Sequence, residues 1–225
     1  MASEQTIPVI AIDGPSGSGK GTVAHAVAGI LGFHYLNSGA LYRTVALAAL
    51  ESGADLENAL VLRDIALNLM VKFDGESVLL GGRDVTNVVR SEAVSLAASR
   101  IAGLPEVRDA LLERQHALRQ PPGLVADGRD MGSVVFPDAL LKIFLTASAE
   151  ERAKRRYKQL MDKGLHATMT TLLQDIRERD WRDSARTAAP LRQSADAALL
   201  DTTQMSVEEV VAQVLALYKQ ARRTP

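Results

Sequence analysis

The 225-residue chain contains no cysteine, which excludes disulfides, thiolate metal sites and a cysteine nucleophile. Aromatic residues make up only 4% of the chain, and 27 acidic side chains balance its 26 basic ones. Proteins that bind nucleic acid through phosphates and stacked bases are usually more basic and richer in aromatic residues. We therefore expect no nucleic-acid partner. The lack of cysteine suits a reducing cytoplasm, which is the expected location.

Long apolar segments are also missing. The beginning of the chain has no basic region, and its apolar part ends at Asp13, so it lacks the pattern of a signal peptide. Residues 21–42 carry no formal charge, but glycines and polar residues interrupt them, and we expect no membrane span there. With 47% hydrophobic and 24% charged residues, the composition is that of an ordinary globular protein, and the length predicts one domain.

Short apolar runs alternate with helical patterns along the chain. Residues 7–13 are apolar and β-branched without polar alternation, which is typical of a strand buried on both faces of a parallel sheet. Further strands are predicted at residues 124–127, 140–145 and 197–200. Apolar residues, Ile30 among them, recur at helical spacing in residues 22–31, and Ser148 and Ser206 have the pattern of helix caps. The alternation predicts an α/β fold with a parallel sheet flanked by helices.

Two segments interrupt this alternation. Residues 71–89 contain Asp74-Gly75 and Gly81-Gly82 between short β-rich runs, which predicts a small antiparallel piece. Residues 164–186 are dense in Arg and Asp and poor in large apolar side chains. Because such a segment can bury little, we expect it to be exposed and mobile.

A glycine-rich loop follows the first predicted strand. It reads GPSGSGK, the G-x-x-x-x-G-K part of the phosphate-binding P-loop. Glycines let backbone N–H groups face phosphate oxygens, Lys20 adds a positive charge, and the next helix adds its N-terminal dipole. The strict pattern has Ser or Thr at position 21, so the Thr22 hydroxyl is the candidate Mg²⁺ ligand. The predicted ATP contacts are Gly14, Pro15, Ser16, Gly17, Ser18, Gly19, Lys20, Gly21 and Thr22.

Two more polar segments follow predicted strands, at the edge where parallel α/β sheets bind ligands. Residues 37–43 read NSGALYR, and residues 127–132 read DGRDMG. Asp127 suits a carboxylate that holds Mg²⁺ through water, and Arg43 and Arg129 are candidate phosphate ligands. A P-loop alone does not separate a kinase from an ATPase or a GTPase, but the chain has no N-K-x-D guanine-reading motif.

The chain resembles the bacterial-type cytidylate kinases, a family of P-loop nucleoside monophosphate kinases. Four segments carry the resemblance, in the family's order: GPSGSGKGT (14–22), NSGALYR (37–43), VADGRDMGSVV (125–135) and RERDWRDSARTAAPL (177–191). It extends over nearly the whole chain and implies one kinase domain, residues 1–225. The implied parts are a core of about 1–60, 100–160 and 187–225, a β-containing monophosphate-binding insert of about 61–99, and a helical lid of about 161–186.

The resemblance also implies an activity, the Mg²⁺-dependent transfer of the γ-phosphoryl group of ATP to CMP or dCMP in pyrimidine nucleotide metabolism. The implied catalytic residues are Lys20, Arg129, Arg179 and Arg186. The implied CMP contacts are Ser38, Tyr42, Arg43, Ser99, Arg108, Arg129, Asp130, Asp183 and Arg186. Among them, Ser99, Arg108 and Asp130 would read cytosine, and Asp183 would hold the ribose. Arg155 would reach ATP phosphates.

The P-loop pattern and the carboxylate at the strand end predict that Thr22 and, through water, Asp127 hold the Mg²⁺ ion. The family resemblance implies a monomer, and the lack of a long apolar segment predicts no membrane partner. The chain departs from the family at Asn37, where the family often has Asp. Three alternatives stay open at this point: a kinase of another small substrate such as UMP or dTMP, a P-loop nucleotide-binding switch module, and an ATPase that acts on nucleic acid.

Overall fold

The computed structural model describes residues 7–74, 77–162, 164 and 166–223. The strands are β1 (Val9–Asp13), β2 (His34–Asn37), β3 (Val71–Asp74), β4 (Ser77–Leu80), β5 (Arg83–Asp84), β6 (Leu124–Gly128), β7 (Leu141–Thr146) and β8 (Ala198–Asp201). The α-helices are α1 (Lys20–Leu31), α2 (Ser38–Glu51), α3 (Ala59–Leu67), α4 (Glu92–Ile101), α5 (Pro105–His116), α6 (Ala149–Met161), α7 (Met169–Ala185) and α8 (Val207–Ala221). Two short helical turns are Val88–Arg90, of 3₁₀ type, and Met131–Val135, of π type. The chain forms two compact units, residues 1–36 with 118–225, and residues 37–117.

The first unit is built on a five-stranded sheet in the order β2-β6-β1-β7-β8. Strand β1 is parallel to both β6 and β7, and β7 is parallel to β8. Every residue of β1 and β6 is buried, as expected for strands covered on both faces. The prediction of a parallel sheet with flanking helices is confirmed, and each predicted strand overlaps a strand of the structure.

The core of this unit joins the sheet to α1 and α8. Val23 and Val27 of α1 pack with Val210 and Val214 of α8 and with sheet residues. Ile30 was predicted to share the buried face of α1 but is 62% exposed. The buried stripe of this helix includes two alanines, Ala24 and Ala28, which places the centre of the stripe away from Ile30.

The second unit combines α2 to α5 with a three-stranded antiparallel sheet in the order β3-β4-β5. Val45, Leu62 and Ile101 are fully buried in its core. Gly81 and Gly82, both with positive φ, make the turn from β4 to β5, so the antiparallel piece predicted for residues 71–89 is confirmed. Gly75, in the other predicted turn, lies outside the described residues.

Helices α6 and α7 pack on each other through an apolar cluster that contains Ala153, Leu172 and Ile176. The expectation that residues 164–186 are exposed is therefore wrong for part of this segment. Leu172 and Ile176 lie one helical turn apart, which is enough to form a buried stripe on a helix that is otherwise polar. Its mobility stays a prediction, and residues 163 and 165 lie outside the described part of the chain.

None of the helices in the described ranges is long and apolar enough to span a bilayer.

Candidate active site

The P-loop connects β1 to α1 in the first unit. A Cβ atom on Gly14 would overlap the carbonyl oxygen of Leu145 in β7, so the neighbouring strand requires glycine there. Gly17 and Gly19 have φ angles of 77° and 91°, which L-residues with a side chain rarely adopt. The sequence analysis attributed all the glycines of the loop to the need for backbone N–H groups to face phosphate oxygens. The structure adds a packing reason at Gly14.

Lys20 begins α1 and is only 6% exposed. Its Nζ atom donates a hydrogen bond to the carbonyl oxygen of Pro15, at 2.8 Å. Burial and, next, the charge of Arg129 lower the pKa of Lys20 well below its usual range, while the charge of Asp127 opposes them. A buried ammonium group among other cations favours the binding of an anion, because the anion would offset both effects.

Asp183, near the end of α7, is 1% exposed and joins two arginines. Its carboxylate accepts a hydrogen bond from Arg129 Nε at 2.8 Å and another from Arg186 Nη2 at 2.6 Å. Burial alone would raise the pKa of Asp183, but the charges of Arg129 and Arg186 outweigh it and the pKa is lowered. The charge of Arg179 acts on both Asp183 and Lys20. The four predicted catalytic cations thus share one electrostatic environment.

Two arginines of α6 hold the backbone of the P-loop. Arg155 donates to the carbonyl oxygens of Ser18, at 3.4 Å, and of Thr202, at 2.6 Å. Its predicted contact with ATP phosphates stays a prediction. Buried Arg152 donates to the carbonyl oxygen of Ser16, at 3.1 Å.

Arg152 also forms a two-pronged ion pair with Asp180 of α7, with distances of 2.9 and 2.6 Å. The pair links the P-loop to α7. Sequence reasoning did not single it out. Its partners are 28 residues apart, and both lie in segments where charged residues are frequent, so no local spacing marks them.

Asp13 is a second functional candidate that the sequence analysis missed. It ends β1, is 7% exposed, and accepts hydrogen bonds from the backbone N–H groups of Met131 and Gly132, both at 2.8 Å. These bonds fix the segment that directly follows Arg129 and Asp130. The available signal was an aspartate at the end of a wholly apolar strand. Asp130 itself is 4% exposed.

The predicted Mg²⁺ ligands are Thr22, which is exposed in the first turn of α1, and Asp127, which is 5% exposed in β6. The Tyr35 hydroxyl donates to Asp127 Oδ1 at 2.7 Å and lies 3.4 Å from the carbonyl oxygen of Gly21. Asp127 is therefore close to the start of α1.

The described residues contain no group of three or more His, Asp or Glu side chains that could hold a metal alone. Mg²⁺ typically keeps several waters and binds one or two protein ligands together with substrate phosphates. One hydroxyl and one carboxylate beside a phosphate-binding loop fit an ion of that kind.

The other predicted contacts belong to the second unit. Ser38, Tyr42 and Arg43 lie on α2, whose N-cap Asn37 accepts a hydrogen bond from the Ala40 backbone N–H at 2.8 Å. Asparagine caps a helix as well as aspartate does, so the departure from the family at this position preserves the cap and removes a charge.

Ser99 is buried on α4. Arg108 of α5 donates to the carbonyl oxygen of Ala102, the C-cap of α4, at 3.2 Å. The second unit thus places these two predicted cytosine-reading residues near one end of α4.

Comparison with known proteins supplies the family. The family profile described as cytidylate kinase matches residues 10–220. The chain belongs to the cytidylate kinase family. It is 55% identical to a cytidylate kinase of Nitrosomonas europaea, over 98% of this chain and 99% of that protein. It is 57% identical to a cytidylate kinase of Pseudomonas aeruginosa, over 93% of this chain and 94% of that protein.

A solved structure supports the fold of this cytidylate kinase family member. A gluconokinase from Sinorhizobium meliloti superposes with a TM-score of 0.52 at 17% identity, over 96% of this chain and 93% of that one. At this identity the likeness concerns the fold alone. It agrees with the P-loop kinase architecture that the sequence predicted.

Proposed function

We propose that this chain transfers the γ-phosphoryl group of ATP to CMP or dCMP, which yields ADP and CDP or dCDP. One observation carries the proposal: in a member of the cytidylate kinase family, buried Lys20 of the P-loop shares its environment with Arg129, Arg179 and Asp183. Such a cluster stabilises the negative charge that spreads over the oxygens of a transferring phosphoryl group. UMP and dTMP are not favoured as acceptors, because the relatives at this identity are cytidylate kinases.

The proposed reaction needs no strong general base. A phosphate monoester has a second pKa of about 6, so the attacking oxygen of CMP is already ionised near neutral pH. Lys20, Arg129, Arg179 and Arg186 then act by positioning and by neutralising charge. Bound Mg²⁺, held by Thr22 and through water by Asp127, would add further neutralisation of the ATP phosphates.

Cytosine recognition is proposed from the chemistry of its polar edge. Cytosine carries an N4 donor and an N3 acceptor, so a carboxylate at Asp130 would accept from N4 and a guanidinium at Arg108 would donate to N3, with Ser99 as a further contact. Uracil reverses donor and acceptor at these two positions. Neither side chain would then find a complementary group on the base, which is a strong basis for discrimination.

The remaining CMP contacts are proposed for the phosphate and the ribose. Ser38, Tyr42 and Arg43 would bind the monophosphate together with the Arg129 and Arg186 guanidinium groups. Asp183 already accepts bonds from both arginines. A carboxylate has about four lone-pair positions, so Asp183 can also accept from ribose hydroxyls.

The proposed organisation has three parts: a core, a monophosphate-binding insert of about residues 61–99, and a lid of about residues 161–186 that excludes water during transfer. The antiparallel sheet β3-β4-β5 supports the assignment of the insert, and α7 with its arginines supports the assignment of the lid. We also propose a cytoplasmic monomer without nucleic-acid or membrane partners, in line with the balanced charge.

The test is an ADP-release assay with Mg-ATP and equal concentrations of CMP, dCMP, UMP, AMP, GMP and dTMP. Turnover confined to CMP and dCMP is the expected result. Strong turnover with UMP or dTMP would discard the assignment of the base pocket, and ATP binding without transfer to any acceptor would favour a switch module.

The variant Asp130→Asn tests the base pocket directly. It should lower the ratio of the catalytic efficiency with CMP to that with UMP, and an unchanged ratio would reject Asp130 as a base reader.

Two pairs of variants test the phosphate site. Lys20→Ala and Arg129→Ala should each lose about a hundredfold or more in turnover, the usual cost of removing one transition-state charge partner. Lys154→Ala and Arg192→Ala are matched controls, because both side chains are exposed in the same unit. Near wild-type turnover in Lys20→Ala or Arg129→Ala, with the controls unaffected, would contradict the assignment.

A further inference from the structure

The hydroxyl group of Tyr35 lies between two parts of the proposed metal site. It donates a hydrogen bond of 2.7 Å to Asp127 Oδ1 and lies 3.4 Å from the carbonyl oxygen of Gly21, next to Thr22. Tyr35 belongs to β2 and Asp127 to β6, which are neighbours in the sheet. One side chain thus connects the carboxylate to the start of α1.

We propose that Tyr35 is a positioning residue for Mg²⁺: its hydroxyl fixes the carboxylate plane of Asp127 so that this group can hold water molecules of an ion bound to the ATP phosphates. The inference rests on the proposed function, because it takes Asp127 as the carboxylate of the metal site. Neither the sequence motifs nor the resemblance assigned a role to Tyr35.

The first argument is geometric. Mg²⁺ demands near-ideal octahedral geometry and gives up its waters reluctantly, so a carboxylate that acts through water must be oriented correctly. A hydrogen bond from a hydroxyl to a carboxylate is charge-assisted, and the 2.7 Å between the Tyr35 hydroxyl and Asp127 Oδ1 is a usual distance for such a bond. It leaves Oδ1 of Asp127 in one defined position.

The second argument is that the ring of Tyr35 has its own support. It packs edge-to-face on His25 of α1, with ring centroids 5.4 Å apart and planes at 71°. Packing therefore holds the ring in place without the hydroxyl, and Tyr35→Phe keeps the ring while it removes the hydroxyl, with its bond to Asp127 and its contact with Gly21. Groups that orient a metal ligand typically change metal affinity by 10- to 100-fold when they are lost.

The experiment measures metal binding directly. Mn²⁺ replaces Mg²⁺ as the probe, and electron paramagnetic resonance reports free Mn²⁺ in titrations of the full chain with saturating ADP, corrected for Mn²⁺ bound to ADP alone. Tyr35→Phe should weaken Mn²⁺ binding about tenfold. Its ADP affinity in EDTA should equal that of the wild type. A Mn²⁺ affinity within twofold of the wild type would overturn the proposal.

The matched control is Tyr218→Phe, which deletes the same atom from a buried tyrosine of α8 whose ring packs edge-to-face on Phe33. It should bind Mn²⁺ like the wild type. Equal losses in both variants would also overturn the proposal, because a general effect of removing a hydroxyl would then explain them.

A double variant tests the route through Asp127. If Tyr35 acts only by orienting that carboxylate, Tyr35→Phe should weaken Mn²⁺ binding no further in an Asp127→Asn background. If the double variant instead showed the product of the two single losses in Mn²⁺ affinity, the two residues would act independently, which would contradict this mechanism.

Failure of this inference can be distinguished from failure of the proposed function. The titration contains no acceptor nucleotide, so its outcome does not depend on which monophosphate is phosphorylated. CMP turnover by the wild type with unchanged Mn²⁺ binding in Tyr35→Phe would reject the inference alone. A tenfold loss of Mn²⁺ affinity in a chain that does not phosphorylate CMP would reject the proposed function alone.

Discussion

Two buried carboxylates in the first unit, Asp183 and Asp13, are perturbed in opposite directions. Asp183 is bonded by the guanidinium groups of Arg129 and Arg186, and their charges lower its pKa although burial opposes them. Asp13 is bonded by the backbone amides of Gly132 and Met131. Burial raises the pKa of Asp13 to about 6 despite those bonds, because amide dipoles compensate a buried charge less than full cations do.

The difference changes how each carboxylate affects stability with pH. For Asp183, the folded pKa lies below the unfolded value of 3.8, so its contribution is present above that pH and is lost as the pH falls through the folded pKa. For Asp13, the folded pKa lies above the unfolded value of 3.8. Folding therefore favours its protonated form, and stability decreases as the pH rises towards and through 6. Burial alone does not determine whether a carboxylate stabilises the fold.

The largest expected effect is that of Asp183→Asn. The substitution leaves Arg129 and Arg186, with side chains 17% and 10% exposed, without their shared counter-ion. Breaking a buried ion pair from one side typically costs 3–5 kcal/mol, so we expect a loss of about 4 kcal/mol in the free energy of unfolding and a large loss of CMP turnover. Urea unfolding followed by circular dichroism measures the first, and ADP release measures the second.

Asp175→Asn is the control for Asp183→Asn, since Asp175 is exposed on the same helix. Adding Arg186→Gln to Asp183→Asn should restore part of the lost stability, because one of the two uncompensated charges is then gone. A loss below about 1 kcal/mol in Asp183→Asn would show that solvent compensates these arginines, contrary to their burial.

The second prediction concerns Asp13, whose pKa is raised whereas that of Asp183 is lowered. A shift in pKa from 3.8 to about 6 corresponds to about 3 kcal/mol in total. The stability of the wild type relative to Asp13→Asn should therefore fall with rising pH, by about 1 kcal/mol between pH 5 and 7. Urea unfolding of both proteins across this range tests it. A constant difference, or one that grows with pH, would contradict the raised pKa of Asp13.

These two carboxylates also mark what the sequence could predict. The buried strand Val9–Asp13, the P-loop and the turn at Gly81-Gly82 follow from local patterns, namely an apolar run, glycine spacing and a two-glycine turn. The parallel sheet follows from their alternation with helices. Each of these signals lies within a few consecutive residues, and the structure agrees with them.

Contacts between distant residues could not be predicted in the same way. Asp13 bonds to an amide 118 residues away, Tyr35 to a carboxylate 92 residues away, and Asp183 to a guanidinium 54 residues away. Asp183 was assigned to ribose on the basis of family resemblance, and its bonds to arginines emerged only from the fold. The expectation that the segment around α7 is exposed was based on its average composition. It was wrong in part, because an average over the segment does not reveal a buried stripe of two apolar residues one helical turn apart.

The third prediction is a smaller effect at Asp180, whose side chain is 29% exposed. Asp180→Asn weakens its pair with Arg152, but Arg152 keeps the carbonyl oxygens of Ala147 and Ser16 as acceptors. We expect a loss of about 1.5 kcal/mol in unfolding free energy, less than for Asp183. ATP affinity, measured by calorimetric titration, should fall several-fold because the P-loop loses support. Unchanged ATP affinity would reject the link to the P-loop, and Asp175→Asn again serves as control.

The smallest effect is expected at Arg177 of α7, which pairs with Glu150 of α6 at 3.0 Å. Their side chains are 63% and 58% exposed, so water and salt screen the attraction. Arg177→Ala should leave both the urea midpoint and CMP turnover indistinguishable from the wild type, at low and at high salt. A loss of turnover alone would mean that Arg177 contacts a substrate. Unchanged stability and turnover in Arg177→Ala, together with large losses in Asp183→Asn, would show that burial decides which charged pairs of α7 matter. Both pairs have short contacts, and Arg177 and Asp183 lie within two turns of the same helix.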